Sequence, residues 1–197
     1  MIPPTPMKKY VFLFLGCLSL SSCFYIAMYH FDSDDRVWLS PYEQGDTILF
    51  KSPEDIDTVI IKEIFVKDRY NPLMENEAHQ VMEAHGFLDL EVLHRGQILS
   101  GGIENRKTGF HRLRLFVAFA DRIVECDESE LSLKEETVGG KTYPDAFSGE
   151  GKAPKAPISK NRAVAKHFIW SKSQGLLQYT YKGGETYTLY KKLPHKK

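Results

Sequence analysis

Apolar and polar positions alternate along much of this chain with the period of a half-buried strand. Leu88, Leu90 and Val92 interleave with Asp89 and Glu91, so one side chain in two points to a dry face. Leu113, Leu115, Val117 and Phe119 form one face of a second such segment, and Arg112 and Arg114 begin the other. Thr47-Ile48-Leu49-Phe50 is a short apolar run closed by Ser52-Pro53, and Thr58-Val59-Ile60-Ile61 continues through Ile64-Phe65-Val66 with many β-branched residues. Near the C-terminus, Ala163–Ser171 reads as a strand, Gln174-Gly175 as a turn, and 176–182 and 185–191 as a hairpin around Gly183-Gly184. A two-residue Gly-Gly loop fits a type I′ turn, which needs positive φ twice. That register sets Tyr181 opposite Thr186 and Lys182 opposite Glu185. It places Leu177, Tyr179, Tyr181, Thr186, Thr188 and Tyr190 on one face. Asn76 to His85, with an Asn cap and Gly86 as a stop, reads as a short helix, or equally as a strand running into Phe87. Residues 139–162, rich in Gly and Pro, read as a long mobile loop. The pattern predicts a mainly β fold, an antiparallel sandwich or small barrel of roughly seven to nine strands with one short helix at most.

The N-terminus has another pattern. Lys8-Lys9 precede an uncharged run that reaches Leu20-Ser21-Ser22-Cys23. The order is that of a secretory signal peptide: charge, a short apolar segment, then small residues at a cleavage point. With the cysteine at its end, Leu20-Ser21-Ser22-Cys23 resembles the lipobox of bacterial lipoproteins. The resemblance implies cleavage between Ser22 and Cys23, a diacylglycerol on the Cys23 thiol and an acyl chain such as palmitate on the new amino group. Residues 1–22 would then be the signal peptide, 23–46 a tether and 47–197 a single domain. Phe14-Leu15-Gly16-Cys17 leaves too short an apolar segment to serve instead. After Cys23 the chain stays apolar, so the uncharged run spans Tyr10 to Phe31, 22 residues with His30 neutral. That is long enough for an uncleaved transmembrane signal anchor, which is the rival reading. Both put Lys8 and Lys9 in the cytoplasm and Asp32, Asp34 and Asp35 outside it.

Composition narrows the function class. The chain of 197 residues carries 26 basic and 26 acidic side chains, a formal net charge of zero, so no global pull toward nucleic acid is expected. The charge is segregated: residues 1–137 hold 14 basic and 23 acidic groups, net −9, and residues 138–197 hold 12 and 3, net +9. A basic tail for an anionic partner and plain neighbourhood between the two parts both fit this. Of the cysteines at 17, 23 and 126, lipoprotein processing would leave only Cys126 as a free thiol. Glu125, Asp127 and Glu128 surround it and raise its pKa, so it reads as structural rather than nucleophilic.

Gly45-Asp46-Thr47-Ile48-Leu49-Phe50, Asp57-Thr58-Val59-Ile60-Ile61 and Ser173-Gln174-Gly175-Leu176-Leu177-Gln178-Tyr179, behind the lipobox, resemble uncharacterised exported lipoproteins of Bacteroidetes-type bacteria. The resemblance implies a mainly β lipoprotein without assigning it a chemistry. Signatures of phosphate loops, nucleophile elbows and zinc proteases do not occur. Glu75, His79 and Glu83, spaced by four with His85 nearby, would share one face of a helix and offer metal ligands, or form an ordinary polar face. Asp127, Glu128, Glu130, Glu135 and Glu136 would supply an acid/base pair or a solvated edge. Tyr179, Tyr181 and Tyr190 read as a stacking platform for sugars or, more plainly, as the inner wall of a sheet. The expectation is a membrane-anchored extracytoplasmic lipoprotein that binds a protein or glycan or supports the envelope. It carries no cofactor, metal, catalytic residue or nucleic acid, and His79, His94, His111 and His167 do not converge. The alternatives are an envelope hydrolase using acidic and histidine residues, and an assembly component docking through its basic C-terminal region.

Overall fold

A computed structural model of the chain describes residues 30–67, 84–107, 113–150 and 163–195. Eleven strands lie among them: β1 Thr47–Lys51, β2 Ile56–Lys67, β3 Ala84–His94, β4 Gln97–Lys107, β5 Leu113–Phe119, β6 Arg122–Asp127, β7 Lys134–Val138, β8 Lys141–Gly149, β9 Ala165–Ser171, β10 Gly175–Tyr181 and β11 Thr186–Leu193. They form one antiparallel sheet in the order β6-β5-β4-β3-β2-β1-β11-β10-β9-β8-β7. Two meanders, β1 to β6 and β7 to β11, are thus joined where β1 pairs with β11. The sheet curls into a half-barrel. Phe119 of β5 packs against Tyr179 of β10 with ring centroids 4.6 Å apart, although five strands separate β5 from β10 in the ladder. Curling is what brings these inner faces together and makes the core.

The mainly β expectation holds, and the alternating segments bury the predicted faces. Leu88, Leu90 and Val92 of β3 and Leu113, Leu115, Val117 and Phe119 of β5 are buried, while Asp89 and Arg114 are exposed. The strand count exceeds seven to nine because β4, β6, β7 and β8 were not legible as strands. Residues 84–86, the end of the expected helix and its glycine stop, are instead the start of β3, as the strand alternative had it. The rest of that segment lies outside the described residues.

Two hairpins correct the expected turn chemistry. Gly139 and Gly140 have φ of +59° and +77° and join Val138 to its partner Lys141, so the two-residue Gly-Gly turn occurs inside the segment read as a loop. Residues 141–149 are β8 rather than loop. The hairpin packs Val138 and Ala146 against Ile169 and Leu177 in a second, smaller apolar cluster. At Gly183-Gly184 only Gly184 has positive φ, +93°. Tyr181 donates its N–H to Glu185 O, Gly184 donates to Tyr181 O, and Thr180 pairs with Thr186. The loop therefore has three residues, and the register is one residue off the expected one. A one-residue slip exchanges faces: Tyr187 joins Tyr179 and Tyr181 inside, and Tyr190 lies outside.

The structure makes a sharp demand at Gly102. A Cβ there would lie 2.1 Å from the Leu88 carbonyl oxygen, on a backbone with φ of +153°. At Gly183 a Cβ would meet nothing. Gly102→Ala should lower the unfolding free energy by about 3 kcal/mol, read as a shift in urea midpoint, and Gly183→Ala by less than about 0.5 kcal/mol.

Candidate functional site

The strand registers define two ends of the half-barrel, and the chain closes each differently. One end gathers the last residues of β4 and β9 and the first of β3, β5 and β10. Across it runs the segment from Phe31 to Tyr42, which contains α1, Ser33–Val37. A helix this short does not stand alone. Asp32 caps it by accepting from the N–H groups of Asp34 and Asp35, and the Asp35 carboxylate accepts from Asp32 N–H in return. Tertiary contacts do the rest. Lys107 Nζ donates to Asp35 Oδ2 at 2.5 Å and to Asp32 Oδ2 at 3.2 Å. Trp38 is fully buried against Phe147 and donates Nε1 to Glu128 Oε1 at 2.8 Å. Lys172 Nζ reaches the same Glu128 oxygen and Asp34 Oδ2. Tyr42 Oη accepts from Leu176 N–H at 2.8 Å. Phe31 and Leu39 fill the space over Gly86, where a Cβ would meet both side chains within 3 Å. This strap plugs the mouth, with Trp38 and Tyr42 both buried in it. Its Asp34 and Asp35, with Glu128, meet Lys107 and Lys172. Lys172, from the basic part, meets Asp34 and Glu128 of the acidic part, so the segregated charges of the sequence serve in part as neighbours within the fold.

The opposite mouth is closed by polar side chains. Asp57, at the start of β2, is wholly buried, and an isolated carboxylate there would be strongly disfavoured. Three donors satisfy it. The His94 ring, at the end of β3, gives its Nδ1–H to Oδ1 at 2.8 Å, and the hydroxyls of Tyr179 and Tyr181 donate to Oδ2 at 2.7 and 3.1 Å. The Arg95-Gly96 turn, with φ of +46° and +77°, ends β3 and holds His94 in place. The His94 ring lies 4.3 Å from that of Tyr181 and meets Tyr187 edge-on, while Tyr179 and Tyr187 stack at 5.4 Å. Burial first, then the charge of Asp57 and the neighbouring phenols, pushes the Tyr179 and Tyr181 hydroxyls well above the usual phenol range. Tyr187 is pushed up to about 12, chiefly by burial; its Oη lies beside Ser52 and Glu185 without a well-formed hydrogen bond. Both phenols on Asp57 thus remain donors through neutral pH. At the rim, Arg95 bridges Asp55 and Glu185. Neither Asp57 nor His94 was singled out as a pair in the sequence, because 37 residues separate them and nothing local marks Asp57 as buried.

Other sequence candidates fall apart or outside. Ser22, Cys23, Glu75, His79, Glu83 and His111 lie outside the described residues. His85 faces outward with Nε2 2.9 Å from Glu104 Oε1, a contact that is not aligned as a hydrogen bond. His167 Nε2 meets Ser148 Oγ on β8 and shares no partner with His94. Of the acidic cluster, Glu128 serves the strap and Glu136 pairs with Lys134. Among the described residues no group of His, Cys, Asp and Glu is placed to hold a metal ion, and no helix is long and apolar enough to cross a membrane. Cys126 is half-buried. Its thiol is pushed up first by burial and then by Glu130, Asp127 and Glu125, the wrong direction for a nucleophile. A groove of about 590 Å³ on the outer face of β3 to β6 has Phe87 and Phe116 in its lining. Beside it Glu104 and Glu125 pair with Arg106 and Arg114.

No protein family, curated protein or solved structure matches the chain.

Replacing Asp57 leaves three buried donors without their acceptor. Asp57→Ala should cost about 3–5 kcal/mol of stability, and Tyr181→Phe, which spares two of the three bonds, about 1 kcal/mol, both from urea midpoints at constant slope.

The strap predicts a pH window. The Asp35 N–H, then Lys107, hold the Asp32 carboxyl below its usual 3.8, so its support for docking is complete above 3.8 and lost as pH falls through the depressed value beneath it. Burial pulls Lys107 and Lys172 down, but their carboxylate partners more than offset it and leave both above 10.5. Their support is complete below 10.5 and lost as pH rises beyond. In the 5-fluorotryptophan-labelled protein the Trp38 resonance should stay constant between these limits. It should move toward the solvent-exposed position below about pH 4 and above about pH 10.5, with Trp170 as internal reference.

Proposed function

We propose that the protein is a non-catalytic binding component of the bacterial cell envelope, held at a membrane by lipid on Cys23 with its β domain outside the cytoplasm. The observation that carries this reading is where the chain enters the domain. His30 is exposed, and from Phe31 onward the chain is bound into the plugged mouth. His30 is seven positions on from Cys23, a reach of at most about 25 Å. A lipid on Cys23 would therefore hold the plugged end close to the bilayer. The polar mouth and most of the outer sheet surface would face away, where a partner can reach them. Two or three acyl chains, at about 0.8 kcal/mol per buried methylene, make such attachment stable.

The polar cluster supports the non-catalytic part. A carboxylate that orients a catalytic histidine needs that histidine open to a substrate. Here Asp57 also accepts two phenols on its second oxygen, His94 is buried, and its ring is packed on Tyr181 and Tyr187. The pair stabilises the closed mouth.

Membrane fractions of cells expressing the full chain should contain a mature form beginning at Cys23 with acyl mass, and Cys23→Ala should abolish both cleavage and metabolic palmitate labelling. Wild-type protein in the membrane with residues 1–22 retained and no acyl mass on Cys23 would instead establish the uncleaved anchor. Unmodified full-length wild-type protein in the cytosol would end both readings.

A further inference from the structure

We propose that the outer face around Tyr190, on β11 beside β1, binds a glycan chain that carries carboxylate groups. This deepens the envelope-binding reading and rests on it only for where the ligand is met.

The backbone singles this residue out. Along the β1–β11 ladder Leu49 pairs with Lys191 and Phe50 with Leu189, which leaves Tyr190 as the unpaired residue of a β-bulge. Bulges re-aim a side chain and recur beside binding sites. Tyr179, Tyr181 and Tyr187 are buried, whereas Tyr190 is 60% exposed. An aromatic ring in mid-sheet that the core does not use presents a flat apolar plate to solvent, a surface that matches the C–H face of a pyranose ring.

The surroundings supply the polar half of such a site. Tyr190 lines a shallow depression of about 470 Å³ with Lys51, Pro53, Thr186 and Thr188. Thr188 Oγ1 accepts from Gln178 Nε2 at 2.9 Å, so its own O–H remains to be donated outward. The hydroxyls of Thr186 and Thr180 share one hydrogen bond at 2.9 Å and retain further capacity. Together these side chains form a row of hydroxyl and amide groups leading away from the tyrosine plate, matched to the hydroxyls of consecutive sugars. The Lys51 ammonium lies over the Tyr190 ring, 5.5 Å from its centre. No carboxylate among the described residues pairs with it, unlike Lys107 and Lys172, which meet Asp32, Asp34, Asp35 and Glu128. A carboxylate on the stacked sugar would complete it.

Other occupants fit less well. β1 and β11 lie inside the sheet, flanked by β2 and β10, so they offer no free backbone edge for an extended peptide to pair with. The depression is open and shallow, and an acyl chain would gain little burial there.

The test titrates the detergent-solubilised full chain with a galacturonic acid pentamer and with its fully methyl-esterified counterpart, followed by calorimetry. The acidic pentamer should bind with millimolar or better affinity and the ester more weakly. Tyr190→Ala should weaken the acidic pentamer by roughly tenfold or more, while Tyr190→Trp retains binding. Lys51→Met should erase the preference for the acid without changing affinity for the ester. Because Tyr190 and Lys51 are exposed, each variant should melt as the parent does, which separates loss of binding from loss of fold. No binding of either pentamer, or binding that Tyr190→Ala leaves unchanged, overturns the proposal. If binding fails while acylation at Cys23 stands, the glycan site alone falls; if acylation fails, a positive titration keeps the site.

Discussion

The arrangement at the polar mouth depends on one carboxylate. Asp57 is fully buried, and its two oxygens hold an imidazole and two phenols that come from strands far apart in sequence, β3 and β10. A curled sheet must keep its inner faces together at both ends, and at this end the aromatic side chains that fill the space bring polar atoms with them. Supplying a single shared acceptor solves that problem, because every donor satisfied on Asp57 is one fewer orphan in the core. The same economy ties the two meanders to each other, since β2 and β3 belong to one and β10 to the other.

The two mouths are closed by opposite means. At one, the chain's own N-terminal segment lays Phe31, Trp38, Leu39 and Tyr42 across the opening and fixes them with ion pairs at the rim. At the other, the closing groups belong to the strands. The outer face over β9 to β11 is partly covered by the β7–β8 hairpin, and next to that cover the bulge in β11 leaves Tyr190 exposed.

Much of the sheet was legible in the sequence because period-two alternation reports burial directly. β3 and β5 bury the residues that alternation selects, and the apolar runs of β1 and β2 likewise became strands. What failed to show were elements whose stability comes from neighbours. β4 carries Gly101 and Gly102 where neighbouring backbone and side chains press in. β8 follows a Gly-Gly turn and contains Pro144, so composition alone reads it as loop. The register of the last hairpin turned on whether one glycine or two adopt positive φ, which residue identity does not reveal. That single step decided which tyrosines lie inside. The Asp57 cluster was invisible for a related reason: a buried carboxylate is defined by donors that arrive from 37 and more than 120 residues away.

The strap also sets how the domain responds to tension on its N-terminus. A pull transmitted through His30 falls first on Phe31, α1 and the Lys107 ion pairs, a set of contacts that separate one after another. The long ladder between β2 and β3 would be loaded only once Gly45 and Asp46, which exchange hydrogen bonds with Ile61, had given way. The plug is thus the part of the fold that a pull on His30 would load before the eleven-stranded body.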